Sequence, residues 1–106
     1  MNLQNIGVIG AGTMGNGIAQ VCATAGFNVT LLDISESALQ KAVATVGKNL
    51  DRQVAKETLT PQQKQATLDR IRTSTDYSSL RDVQLVIEAA TENLDLKLRV
   101  LQQIAA

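Results

Sequence analysis

The chain has 106 residues with ten basic and ten acidic side chains, a balance that points to neither nucleic acid nor a membrane surface as partner. Hydrophobic residues make up 44% of it, enough for one small domain with a core, yet the length is too short for a cofactor domain plus a separate substrate domain. Phe27 and Tyr77 are its two aromatic residues, which argues against a base-stacking platform, and no run approaches membrane-spanning length, so a cytoplasmic protein is the expectation.

The first element is the apolar run Ile6-Gly7-Val8-Ile9, which suits a buried parallel strand. Gly10-Ala11-Gly12-Thr13-Met14-Gly15 follows directly. Each glycine in that spacing relieves a different steric problem. Gly10 lets the chain turn sharply on leaving the strand, Gly12 keeps a side chain from standing between backbone and a pyrophosphate, and Gly15 lets the next helix pack close to the strand. The N–H groups at the start of that helix, at the positive end of its dipole, then face an anion. Ile18, Val21, Cys22 and Ala25 recur at helical spacing, so Asn16 to Ala25 reads as an amphipathic helix with Cys22 as a small core residue. Gly26 suits the position just past its end.

Phe27 to Leu32 is rich in strand formers and ends at Asp33, about 20 residues beyond the glycines, where dinucleotide folds place an acid on the adenosine ribose. A carboxylate there accepts from both ribose hydroxyls and repels a 2′-phosphate. Ile34 and Ser35 offer no cation to reverse that preference, so the cofactor reads as NAD rather than NADP. The bland alternatives are a loop or helix-capping carboxylate for Asp33 and an ordinary strand–helix turn for the glycines. The flanking elements favour the dinucleotide reading, with Gly10, Ala11, Gly12, Thr13, Met14, Gly15 and Asp33 as its contact set.

Ser35 is a good N-cap, and Leu39, Ala42, Val43, Val46, Leu50 and Val54 keep helical spacing to about Lys56. Gly47 inside this helix is either a mild cost or a point of close approach. Thr60-Pro61-Gln62-Gln63 starts a second helix that runs to about Asp69, with Thr60 and Gln63 spaced for a capping box. The two helices form a hairpin between the second and third strands. Ile71 to Ser74 reads as a short third strand, Asp76 to Ser79 as a turn and Val83 to Ala89 as a fourth strand. Leu94, Leu98, Leu101 and Ile104 mark a last helix, supported by an Asp95–Arg99 pair. The fold class is therefore α/β, a Rossmann-type parallel sheet in the order 3-2-1-4 with an inserted helical hairpin, and the apolar edge of the fourth strand is left exposed.

There is no histidine. Hydride transfer to or from an alcohol needs a group that moves the hydroxyl proton, and Tyr77 has no lysine near it in sequence. The cofactor half of an enzyme is present without its chemistry: no catalytic residue and no metal ligand is assigned.

The block Gly10 to Ala19, the Leu32-Asp33 strand end and Val86-Ile87-Glu88-Ala89-Ala90-Thr91-Glu92-Asn93-Leu94 together resemble the 3-hydroxyacyl-CoA dehydrogenase family, in particular its bacterial 3-hydroxybutyryl-CoA dehydrogenases. The resemblance covers the whole chain, and the strand-4 block is more specific than the glycines. It implies that residues 1–106 are the N-terminal part of an NAD-binding domain, in a parent that interconverts 3-hydroxyacyl-CoA and 3-oxoacyl-CoA. It implies that Glu92 and Lys97 contact NAD toward the nicotinamide and that Lys56 helps bind coenzyme A phosphates. By residue type alone, Lys56 and Lys97 are equally solvated lysines, and Glu92 equally a favourable charge at a helix N-terminus. The family's catalytic histidine–glutamate pair and its dimer-forming C-terminal helical domain are expected beyond this chain. The competing readings are a non-catalytic NAD-binding module, sensor or structural, and a 3-hydroxyisobutyrate dehydrogenase-type enzyme, which shares the glycine block.

Overall fold

The computed structural model describes residues 4–89 in full and residues 95–98 as a strand. Strand β1 (Asn5–Ile9) leads through helix α1 (Thr13–Thr24) to β2 (Asn28–Leu32). Helices α2 (Glu36–Ala55) and α3 (Pro61–Asp69) then precede β3 (Ile71–Ser74), a 3-10 turn (Tyr77–Leu80), β4 (Leu85–Glu88) and β5 (Asp95–Leu98). The first four strands are parallel in the order β3-β2-β1-β4, as the alternation of apolar runs with helices predicts.

The sheet has two unequal faces. On one, Ile6, Val8, Val29, Leu31 and Ile87 meet Ala19 and Ala23 of α1 and Leu39 and Ala42 of α2. On the other, Leu32, Leu80, Val83 and Val86 form a smaller cluster with Ile9 at its margin. Gly7 makes room for it. A Cβ on Gly7 would stand 2.7 Å from Leu80 Cδ2 and 3.3 Å from Val83 Cγ2, so those two side chains occupy the space a β1 side chain would take.

The helical hairpin forms as its sequence dictates. The Ser35 hydroxyl accepts from the Ala38 amide at 3.2 Å. Both bonds of the Thr60–Gln63 capping box are made, at 2.9 and 3.1 Å. Between the helices, Glu57 takes a positive φ of 61°, and an ion pair from Lys64 to Asp51 ties α3 back to α2. A Cβ on Gly47 would meet nothing within 4 Å, so of its two readings the mild cost is the one the structure bears out.

Two expectations need correction. Helix α1 starts at Thr13 rather than Asn16, and it buries Gly15, Asn16, Ala19 and Ala23 rather than the larger apolar residues. Val21 is 69% exposed, while Ile18 and Cys22 are half-buried at the margin of the core. The cause is proximity: a helix held against the sheet has room beneath it for alanine and glycine, and the bulkier side chains are displaced to its flank. There Thr13, Met14, Gly17, Ile18, Val21 and Cys22 line a shallow, largely apolar groove.

The second correction concerns the last helix. Residues Asp95–Leu98 are instead strand β5, antiparallel to β4 with Leu98 opposite Leu85 and Asp95 opposite Glu88. The segment Asp-Leu-Lys-Leu alternates with period two as well as carrying helix-spaced leucines, and pairing satisfies the outer backbone groups of β4. The β4 edge expected to be bare is covered over this stretch. Leu94, Arg99, Leu101 and Ile104 lie outside the described residues.

Candidate functional site

The carboxyl ends of β1, β2 and β4 bring the glycine block and Asp33 together. Gly10 carries φ of 101°, a conformation that L side chains rarely adopt, and its N–H donates to the Leu32 carbonyl at 2.7 Å. The chain therefore leaves β1 while still bonded to the end of β2. On the other side, the Ala89 amide donates to the Ile9 carbonyl at 2.7 Å.

Gly12 and Gly15 serve opposite needs. A Cβ on Gly15 would collide with the Gly10 carbonyl and touch Val8, so only glycine lets α1 sit this close to β1. A Cβ on Gly12 would meet nothing within 4 Å; it would instead fill open space over the start of α1. Gly12 is the N-cap, no side chain caps this helix, and its first turn holds no acidic residue. By contrast, α2 and α3 are both closed by side chains. Thr13 and Met14 are exposed at that end, Ala11 is buried, and the amides of the first turn, with the dipole behind them, suit a diphosphate.

Asp33 is half-buried and fixed at both oxygens. Oδ2 accepts from the Ala11 amide at 2.9 Å and Oδ1 from the Ser35 amide at 2.9 Å. Its own amide donates to the Ser74 carbonyl at 3.2 Å. Each carboxylate oxygen keeps further acceptor capacity for a ligand hydroxyl. The acid thus shapes the glycine loop and still faces the cleft of about 180 Å³ that it lines with Ile9, Gly10, Leu32, Ile34 and Tyr77. No Lys or Arg lines that cleft among the described residues, so nothing there would compensate a 2′-phosphate. The arrangement fits an unphosphorylated dinucleotide.

Three residues of this region were given no contact role by sequence reasoning. Asn16 is 8% exposed, and its Oδ1 has no hydrogen-bond partner among the described residues, so it is an acceptor awaiting a donor. Its spacing from Gly12 places it at the cradle end of α1, the one available signal. Ile34, 85% exposed just past the end of β2, and Tyr77, 59% exposed on the 3-10 turn, line the cleft.

The other expected residues stand apart. Lys56 is exposed at the C-cap of α2. Lys97 lies in β5 opposite Val86, a backbone position in the sheet rather than on the expected helix. Glu92 lies outside the described residues. Burial pushes the Cys22 thiol above its ordinary value, which leaves it a poor nucleophile at neutral pH. Among the described residues no cluster suits a metal ion, and no helix is long and apolar enough to cross a membrane.

A parallel sheet whose first crossover opens such a cradle beside an acid at the end of β2 defines a dinucleotide-binding α/β domain. Comparison with known proteins places it more closely. Residues 5–106 match the family described as 3-hydroxyacyl-CoA dehydrogenase, NAD binding domain, and the chain belongs to that family. It is 43% identical over 104 residues to a 3-hydroxybutyryl-CoA dehydrogenase of Bradyrhizobium diazoefficiens, covering 98% of this chain and 36% of that protein. It is 42% identical over 105 residues to the 3-hydroxyadipyl-CoA dehydrogenase of Escherichia coli, covering 99% and 22%. Among solved structures, (S)-3-hydroxybutyryl-CoA dehydrogenase PaaH1 from Ralstonia eutropha superposes with a TM-score of 0.84 and 54% identity, over 87% of this chain and 32% of that one. The chain thus spans 22–36% of the length of these relatives. The cofactor is NAD.

Proposed function

We propose that residues 1–106 are the NAD-holding part of an oxidoreductase that interconverts 3-hydroxyacyl-CoA and 3-oxoacyl-CoA by hydride transfer. The observation that carries this reading is the division of labour among the glycines beside Asp33: open space at Gly12, a collision at Gly15, a positive φ at Gly10. The names of the relatives support the reaction class.

In this reading, the amides from Gly12 through Gly15 hold the diphosphate, with Ala11 bonded to Asp33 beneath them and Thr13 and Met14 at the mouth of the cradle. Asp33 accepts from the ribose hydroxyls. NAD supplies the hydride acceptor when bound. Fixing it at both phosphate and ribose sets where its reactive ring can meet a substrate carbon, which is the chain's contribution to rate. Glu92 and Lys97 serve the nicotinamide side, Lys56 the coenzyme A phosphates, and the whole protein works as a cytoplasmic homodimer.

Isothermal titration of the chain with NAD and NADP tests the cofactor part. Wild type favours NAD. Asp33→Asn keeps an acceptor oxygen for the loop but removes the charge, and it narrows the NAD-to-NADP affinity ratio by about tenfold, the scale of one charged hydrogen bond. An unchanged ratio removes Asp33 from the ribose.

A further inference from the structure

We propose that the amino-terminal end of the sheet carries a second ligand site, separate from the cofactor cleft, which takes the phosphate group of a small metabolite between Arg70 and Arg72. The proposal does not rest on the cofactor reading.

The site follows from the alternation of the strands. Parallel strands covered on both faces read as continuous apolar runs. These do not: Asn28 and Thr30 alternate with Val29 and Leu31 in β2, and Arg72 follows Ile71 in β3. Asn5 stands opposite Asn28, and Thr30 opposite Arg72 on one side and Gly7 on the other. The four polar residues therefore fall on the sheet face of Gly7 and Leu32, away from the main core. Toward the carboxyl ends that face is filled by Leu32, Leu80, Val83 and Val86. Toward the amino ends it opens as a cavity of about 210 Å³, where Asn5, Asn28, Thr30 and Arg72 are joined by Asp69 and Arg70. The cavity lies a strand's length from the glycine cradle. It falls below the roughly 300–1,000 Å³ of sites for drug-sized ligands, too small for a dinucleotide or coenzyme A.

Its chemistry selects an anion. Arg72 is exposed and makes no hydrogen bond or ion pair among the described residues, so its whole fork of N–H groups is available. Arg70 is half-buried and anchored: Nη1 donates to the Ala23 carbonyl at 2.8 Å, which leaves the other N–H groups of its guanidinium for a ligand. Asn28 Nδ2 donates to Asn5 Oδ1 at 3.3 Å, so Asn5 Nδ2 is a further donor beside the Thr30 hydroxyl. The one carboxylate of the lining, Asp69, already accepts at Oδ1 from Gln65 Nε2 at 2.8 Å. Its other oxygen suits a hydroxyl on the ligand's stem. Two guanidiniums against one carboxylate leave the cavity positive, and a planar fork matches phosphate oxygens in pairs. A charge on an edge strand also discourages edge-to-edge pairing. That role needs Arg72 alone, and accounts for neither the anchored Arg70 nor the polar row beside it.

Amide NMR on the isotope-labelled chain, titrated with inorganic phosphate at constant ionic strength and with NAD saturating, tests the proposal. Bound NAD keeps phosphate out of the cradle. The amides of Asn28, Thr30, Arg70 and Arg72 should shift along one saturable curve while those of Gly12 to Gly15 stay still. Arg72→Gln should weaken phosphate binding at least about tenfold, the scale of a paired charged contact, with the Tm and the NAD affinity as in wild type. Acetate, with one charge and two oxygens, should bind about fivefold more weakly than phosphate. Shifts that rise without saturating overturn the proposal, as they report screening alone, and so do shifts that survive Arg72→Gln. Acetate binding as tightly as phosphate overturns the assignment to a phosphate group. If the chain binds no NAD, phosphate shifts at Gly12 to Gly15 are read at separate amides, and saturable shifts at Arg70 and Arg72 still uphold this site while the cofactor reading falls.

Discussion

At the scale of single residues, Gly12 and Gly15 separate two needs that one motif combines. Replacing Gly15 by alanine drives a methyl into the Gly10 carbonyl, a backbone atom that cannot swing aside, so the variant should lose about 3 kcal/mol of stability, the upper end of overpacking costs. Gly12→Ala meets no neighbour and should unfold at the wild-type urea concentration, yet its methyl occupies the cradle mouth and should weaken NAD binding at least about tenfold. Urea unfolding and calorimetry on the two variants should thus give opposite patterns. These roles were legible from spacing alone because each depends on neighbours a few positions away. Tyr77 was not. Nothing in Asp76-Tyr77-Ser78-Ser79 says that this turn passes beside the end of β2; that placement comes from sheet order, which brings β3 next to β2.

Among the elements, the helical hairpin shows local chemistry and final structure in agreement. Ser35, Thr60, Pro61 and Gln63 each do what their position predicts. Gly47 is the exception, a flexible residue in the interior of α2 with open space where a Cβ would stand. Gly47→Ala should therefore stabilise the fold by about 0.5–1 kcal/mol and raise the Tm by a few degrees, measured by circular dichroism. A loss of stability would mean that the glycine serves a contact outside the described residues. Helix α1 is where periodicity misled: counting apolar residues picks out Ile18, Val21 and Cys22, but a close helix–sheet contact selects for small size over greasiness. Strand β5 was missed for a related reason, since four residues satisfy either period and the choice depends on pairing with the open edge of β4.

For the molecule as a whole, binding and chemistry part company. The chain holds a cradle and an acid for NAD but no histidine; Tyr77 lines the cleft beside Asp33, and burial raises the Cys22 thiol above its ordinary value. Residues 1–106 alone should bind NADH yet show no oxidation of it with acetoacetyl-CoA above the no-protein rate, followed at the absorbance of the reduced nicotinamide. Measurable turnover would show that a proton donor had been overlooked. The same assay on a longer chain carrying a histidine-bearing continuation separates a dehydrogenase from a binding module without chemistry.

The missing side chain at Gly7 has a consequence well away from β1. Because Leu80 plugs that vacancy, the stiffness of the turn three residues earlier is borrowed from the opposite face of the sheet. Shaving the plug would let the turn breathe, visible as faster amide exchange at Ser79 and Arg81, and nucleotide would escape sooner although no atom touching it had changed. Residence time at the cleft should thus depend partly on what lies behind it, an aliphatic rivet on the opposite face of the sheet.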